Sequence, residues 1–346
     1  MILSDPVPLV PLPWFDGPWQ SLATAIRGDR LGHALLMTGP AGIGKRQFAD
    51  LLAAALLCER PTAAGLPCAQ CADCHLLAAG NHPDLTRLVP DAESKSHEIK
   101  ADAVRELCAS QAMTTSRGRR AVFRIAPAEA MNRVAANGLL KTLEEPSAST
   151  LMLLVSETPS GLPATVRSRC QRLHLRLPSA AQALPWLRER LPQGLDPERL
   201  LAIAHGAPLR ALELGSAELL AAREGCLKGL SDVAAGAADP LGVAQAWQSL
   251  DPALVLDWLA GWISDALRLA ADAQVKHLTN PDHRDRLRGL AARVPPQPGH
   301  RYLQQVYAAR AEALSTVNKQ LLFEALLLRW AALTAGRAQA PNRTTT

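Results

Sequence analysis

Gly39-Pro40-Ala41-Gly42-Ile43-Gly44-Lys45-Arg46 decides how the first half of the chain is read. The apolar run before it, residues 34–37 (A-L-L-M), reads as a buried strand, and the apolar segment after it, residues 48–57, reads as a helix. Strand, Gly-rich turn and helix make up the setting of a phosphate-binding loop. Glycines let backbone N–H groups converge on an anion, the helix N-terminus adds positive potential, and a lysine reaches the terminal phosphates. Gly39, Gly42, Gly44 and Lys45 are therefore the candidate nucleotide-binding residues. The position after the lysine calls for Ser or Thr, whose hydroxyl holds Mg²⁺. Arg46 stands there, and a cation cannot ligate a cation. The loop is equipped to hold phosphate but poorly equipped to organise metal-assisted hydrolysis, so ATP binding is doubtful and Mg²⁺-dependent turnover is not expected.

Outward from the loop, further strands are read at 84–89, 121–126 (A-V-F-R-I-A), 151–155 (L-M-L-L-V) and 172–177 (R-L-H-L-R-L), the last alternating as a more exposed strand. Amphipathic helices are read at 19–27 and 100–113, and another helix at 132–145, with Leu139, Leu140 and Leu143 on one face and Pro146 as its stop. Strands alternating with helices predict an α/β fold with a parallel sheet over residues ~1–176. After Pro178 the strand signals cease. Residues 179–215 carry two or three short helices, and 216–336 is Leu/Ala-rich with helical periodicity, ending in a helix over 315–333 and a polar, frayed tail at 338–346. The expected organisation is an α/β domain at 1–176, a small helical lid domain at 177–215 and an all-α domain at 216–346.

Composition bounds the function. A 346-residue chain with 48% hydrophobic and 20% charged residues is globular and long enough for two or three domains. The net charge of +5 permits contact with nucleic acid without arguing for it. No apolar run reaches the ~18 residues of a membrane span. The opening M-I-L-S-D-P-V-P lacks a basic n-region, so no signal peptide is expected and a cytoplasmic location follows.

Four of the seven cysteines, Cys58, Cys68, Cys71 and Cys74, stand in C-x9-C-x2-C-x2-C. The C-x2-C spacing lets neighbouring thiolates converge on one ion, and four soft anionic ligands suit tetrahedral Zn²⁺ with no position left for water, a structural site. His75 could replace one ligand, an iron–sulfur cluster fits the spacing less well, and four unrelated buried thiols would be the plain alternative. Cys108, Cys170 and Cys226 are far apart and read as small core residues.

A phosphate-loop ATPase also needs an Asp, and usually a Glu, at the end of a neighbouring strand. Residues 121–126 run into Pro127-Ala128-Glu129 with no acid at the strand end. Glu129 is read as a helix-start acid in preference to a displaced catalytic carboxylate. The hydroxyl ligand and the strand-end carboxylates are missing together.

The stretch Ala135-Ala136-Asn137-Gly138-Leu139-Leu140-Lys141-Thr142-Leu143-Glu144-Glu145-Pro146, followed by Ser168-Arg169-Cys170, resembles bacterial clamp-loader subunits of the AAA+ class, as do residues 30–40 (R-L-G-H-A-L-L-M-T-G-P) and N-K-Q-L-L-F-E-A-L-L-L at 318–328. The four-cysteine insertion after the phosphate-loop helix is shared with that family. The resemblance implies an AAA+ domain, a lid and a collar, and membership of a hetero-oligomeric ring with motor (gamma/tau) and delta subunits that places a sliding clamp on primed DNA. It also implies that Arg169 acts in trans as an arginine finger on ATP held by an adjacent motor subunit, with Arg167, on the same side of an extended strand, as its substitute. Motor members carry G-K-T or G-K-S and an Asp-Glu pair where this chain has Ala126 and Pro127, and the lid arginine, here Arg210 in Gly206-Ala207-Pro208-Leu209-Arg210, falls one place late. A non-catalytic member is expected, with an ATP-hydrolysing motor or a zinc-dependent DNA-binding factor as rivals.

Overall fold

The computed structural model describes residues 7–91, 98–110, 116–117, 120–147, 149–313 and 318–338. The chain forms two compact units, one made of residues 1–189 with 206–210 and the other of 190–205 with 211–346. The helix that follows Pro178 thus packs with the α/β unit.

The first unit is built on five parallel strands: β1 (Ala34–Thr38), β2 (Leu85–Leu88), β3 (Ala121–Ile125), β4 (Thr150–Ser156) and β5 (Gln171–His174), in the order β2-β3-β4-β1-β5. This is the expected α/β architecture, with strands alternating with helices in a parallel sheet. All of β4 is buried, which explains its unbroken apolar run: helices cover both faces of a central parallel strand. Its register on β1 pairs Ala34 with Met152 and Thr38 with Ser156, so both strands end together where the phosphate loop begins. The edge strand β5 is shorter than its alternating sequence suggests. It pairs only with β1, which ends at Thr38. After a last bond from Leu175 N to Thr38 O (2.8 Å), residues 175–177 find no ladder to join.

Among the described residues eight α-helices accompany the sheet: α1 (Asp16–Arg27), α2 (Lys45–Leu57), α3 (Ala72–Ala78), α4 (Ala101–Ser110), α5 (Arg133–Gly138), α6 (Leu140–Glu144), α7 (Ala164–Arg167) and α8 (Ala180–Arg188). The helix read at 132–145 is therefore two short helices meeting at Leu139. The backbone there stays helical (φ −76°, ψ −22°), so the apolar face survives, with Leu139 and Leu143 buried in the core beside Leu154 and Ile125. Asn137-Gly138, both weak helix formers, stand at the join. The end of the helix read at 100–113 falls on residues 111–113, outside the described residues. An aromatic group of Trp14, Phe15, Trp19, Phe48 and Trp186 ties the N-terminal segment, α2 and α8 together, with Trp14 and Trp186 edge-to-face at 5.3 Å.

The second unit holds α9 (Pro197–Ile203), the end of α10 (Pro208–Leu214), α11 (Ala217–Ala234), α12 (Pro240–Trp247), α13 (Pro252–Ala271), α14 (Arg284–Arg293), α15 (Pro296–Glu312) and α16 (Lys319–Ala338). Three of these start on Asp-Pro. Asp196, Asp239 and Asp251 each accept first-turn N–H groups while the proline fills a position whose N–H has no partner to lose. Its core carries a buried polar network. Arg223 donates to Asp282 (2.8 Å) and Asn280 (2.6 Å) and lies over the Trp262 ring, and Asp265 accepts from Thr279 N (3.1 Å) and Asn280 N (2.8 Å). The final helix reaches Ala338; the tail read as frayed, from 339 on, lies outside the described residues. Among the described residues no helix is long and apolar enough to cross a membrane.

Candidate phosphate loop and thiolate site

The register of β1 delivers the chain into the loop at Gly39, and Gly44 precedes the first turn of α2. A side chain at Gly39 would collide with the Leu175 carbonyl oxygen, so the turn leaves the sheet only because this residue has none. Gly42 has φ +73°, and a Cβ there would stand 2.7 Å from Arg210 Cβ. The close neighbour is the segment 206–210: Leu209 N donates to Gly42 O at 3.0 Å, and Ala207, Leu209 and Arg210 lie against the loop. Trp14 Nε1 donates to Ile43 O at 2.8 Å from another direction. The loop is thus bolted to its own chain.

Lys45 is buried, its side chain 3% exposed. Its ammonium donates to Pro40 O at 2.6 Å, and its ion-pair partner is the carboxylate of Glu157, 3.6 Å away, immediately after β4. Burial pulls Lys45 below its ordinary value, and Glu157 opposes that pull. Arg46 points to solvent. Glu129 stands, as read, in the first turn of a helix, the 3-10 helix Ala128–Ala130, but it is half-buried and hydrogen-bonded where a solvated acid is expected. Its Oε1 accepts from Glu157 N (2.7 Å), Thr158 N (2.9 Å) and Thr158 Oγ1 (3.1 Å), fixing the turn that follows β4. Ala126 is buried and Pro127 follows it, so no carboxylate extends from the end of β3.

Sequence reasoning missed the charges behind the loop. Asp50, on the sheet-facing side of α2, lies 2.7 Å from Arg124 Nε of β3, close but off the line of a hydrogen bond, and 3.9 Å from Arg87 Nη1 of β2. Burial pushes the Asp50 carboxyl above its ordinary value, against the pull of both arginines. An arginine inside the apolar run A-V-F-R-I-A was the available signal, because a charge in a covered strand needs a partner.

Arg169 follows α7 by two residues. Its Nη1 donates to Thr165 O at 2.9 Å, and its Nη2 pairs with Glu144 of α6 at 2.5 Å, leaving the side chain 35% exposed. Arg167 closes α7 and is not on an extended strand. Pro163, in extended geometry, opens the helix, so the two arginines do not share a strand face. Cys170 is buried, its thiol bonded to Val166 O.

The four cysteines come together where α2 ends and α3 begins. Cys58 ends α2, Cys71 precedes α3 and accepts from Cys74 N at 3.4 Å, and Cys68 N donates to Cys58 Sγ at 3.3 Å. All four sulfurs lie within 4.8 Å of one another, with Cys58 to Cys71 at 3.8 Å and Cys68 to Cys74 at 3.9 Å. A disulfide needs about 2.05 Å. Four sulfurs about 2.3 Å from one tetrahedral Zn²⁺ stand about 3.8 Å apart, so the thiols fit such an ion. His75 is exposed and outside the group. The Gln70 backbone N–H draws the Cys68 thiol down to about 6, whereas burial raises Cys58 and Cys74. Arg117 pairs with Asp73 and with Glu59 (3.3 Å), each next to a cysteine of the group, so the module is also held from outside. Cys108 and Cys226 lie apart from it, Cys108 near Thr142 Oγ1 and Cys226 in the helical core.

Two family models match the chain, "DNA polymerase III, delta subunit" over residues 16–179 and "DNA polymerase III, delta subunit, C terminal" over 217–332. The chain is 39% identical over 326 residues to the DNA polymerase III subunit delta′ of Pseudomonas aeruginosa, covering 91% of this chain and 97% of that one. It is 32% identical over 330 residues to the delta′ subunit of Escherichia coli K12, covering 92% and 94%. The tau subunit of E. coli is 36% identical over 208 residues, 60% of this chain and 29% of tau. Matched over nine-tenths of its length by relatives 32–39% identical to it, the chain belongs to the family of DNA polymerase III delta′ subunits.

Proposed function

We propose that this chain is the non-catalytic, stator subunit of a clamp loader, working with gamma/tau motor and delta subunits to place a sliding clamp on primed DNA in the cytoplasm. The observation that carries this reading is the phosphate loop itself. Its lysine is engaged by Pro40 O and Glu157, Arg46 occupies the Mg²⁺-ligand position, and no carboxylate stands at the end of β3. Residues 1–176 act as the AAA+ domain, 177–215 as its lid and 216–346 as a collar that assembles with sister subunits. Arg169 serves a neighbour's ATP. Half exposed and held by an ion pair to Glu144, it can exchange that carboxylate for the phosphoryl oxygens of a nucleotide presented by another subunit, where a guanidinium stabilises transition-state charge. Cys58, Cys68, Cys71 and Cys74 hold a structural zinc ion, which when bound supplies folding energy to the α2–α3 connection. Contacts with DNA are made to phosphates and weaken with salt. The test is ATP hydrolysis by the purified chain with Mg²⁺. No turnover is expected; turnover that is abolished by Lys45→Ala would overturn the stator reading.

A further inference from the structure

Lys45 is a buried ammonium, and a buried charge needs a counter-charge. In a loaded phosphate loop the nucleotide supplies it. Here the chain supplies its own: Glu157 Oε1 lies 3.6 Å from Lys45 Nζ, the ion pair that Lys45 makes, and Pro40 O takes a further N–H at 2.6 Å. Glu157 is placed by its backbone. The register of β4 on β1 brings residue 157 level with the loop, and Glu129 Oε1 fastens it there through Glu157 N (2.7 Å), Thr158 N (2.9 Å) and Thr158 Oγ1 (3.1 Å). A phosphate entering the loop would have to take Lys45 from this carboxylate and then sit beside it. Both steps oppose binding, the first by breaking an ion pair with a buried partner and the second by like-charge repulsion at a few ångströms.

We propose that Glu157 is an internal counter-ion that takes the electrostatic place of a nucleotide phosphate at Lys45 and so selects against nucleoside triphosphates. The inference deepens the stator reading and rests on it, naming the residue that disfavours a nucleotide at an otherwise intact phosphate loop. It also accounts for the retention of Lys45, because the Lys45–Glu157 pair closes the loop onto the end of β4.

The experiment titrates the full chain with a fluorescent ATP analogue, with Mg²⁺ and with EDTA, comparing wild type, Glu157→Gln and Glu157→Ser. Each variant's fold is checked by circular dichroism and thermal unfolding, and the serine variant reads the effect if the glutamine variant unfolds. Removing the carboxylate is expected to tighten binding at least about tenfold, and adding Lys45→Ala to the same variant to abolish the gain. Unchanged affinity in a folded variant overturns the proposal, as does a gain that persists without Lys45. Hydrolysis by the wild type is a separate readout that strikes the stator reading, so the two failures are distinguishable.

Discussion

Arg169 is held by its own chain through Thr165 O and Glu144, and both contacts lie at the surface. An exposed ion pair is worth about 0.2–1 kcal/mol, so Arg169→Ala should lower the unfolding free energy by no more than about that amount. In the assembled loader the same change should cut turnover at the adjacent motor site on the order of a thousandfold. Unchanged ATP turnover by the reconstituted complex would remove the finger assignment. Asp50 is the opposite case. Asp50→Ala leaves Arg124 charged inside the sheet and should cost about 3–5 kcal/mol by denaturant unfolding, while replacing both with apolar residues should recover most of the loss. A loss confined to about 1 kcal/mol would mean that the pair is solvated. Lys45, the three glycines and the four cysteines were legible because each is marked by close neighbours in sequence. Glu157 and Asp50 were not, since their partners lie far along the chain and only the strand register brings them together.

At the scale of elements, continuous apolar runs named β1 and β4 with little ambiguity, because a doubly covered strand has no polar face to blur its pattern. β5 is shorter than its alternation predicts, because its sequence carries no record of where its single neighbour stops. The start of β2 makes a pH-dependent element. His82 is buried, its Nδ1 accepts from Asp84 N at 3.1 Å and its Nε2 faces Asp73 at 3.4 Å, an arrangement of the neutral ring. Burial lowers its pKa, with Asp73 pulling the other way. The folded state therefore binds the proton less readily than the unfolded one. Stability is full above the unfolded value, near 6.5, and falls as the pH drops through it. The melting temperature should decline between about pH 7 and pH 5, and His82→Asn, which keeps an acceptor near Asp84 N, should flatten that decline. A variant with the wild-type slope would place the titrating group elsewhere.

For the molecule as a whole, two compact units predict two unfolding transitions, since separate cores need not melt together. All four clustered thiols lie in the first unit, so a strong zinc chelator should lower one transition and leave the other unmoved. Calorimetry with and without chelator checks this; a parallel shift of both would mean the units unfold as one. Cys68→Ser should lower zinc content and the first transition together, by ~5 °C or more, and a variant that still carries one zinc per chain would refute the four-thiolate site. The α/β half followed by an all-helical half was legible from periodicity. The assignment of residues 180–188 and 206–210 to the first unit was not, because it depends on Trp186 meeting Trp14 and on Leu209 reaching Gly42, contacts that no local pattern announces.

The helix α2 joins the two sites. Its thirteen residues span about 20 Å, with Lys45 clasped at the first turn and Cys58 drawn into the sulfur cluster at the last. Helices ordinarily lose structure from their ends inward, and here both ends are nailed down while Asp50 is caught in the middle by β2 and β3. The amide protons of α2 should accordingly be among the last in the chain to exchange with deuterium. The helix then serves as a fixed datum line on which the phosphate loop at one end and the sulfur cluster at the other are both set.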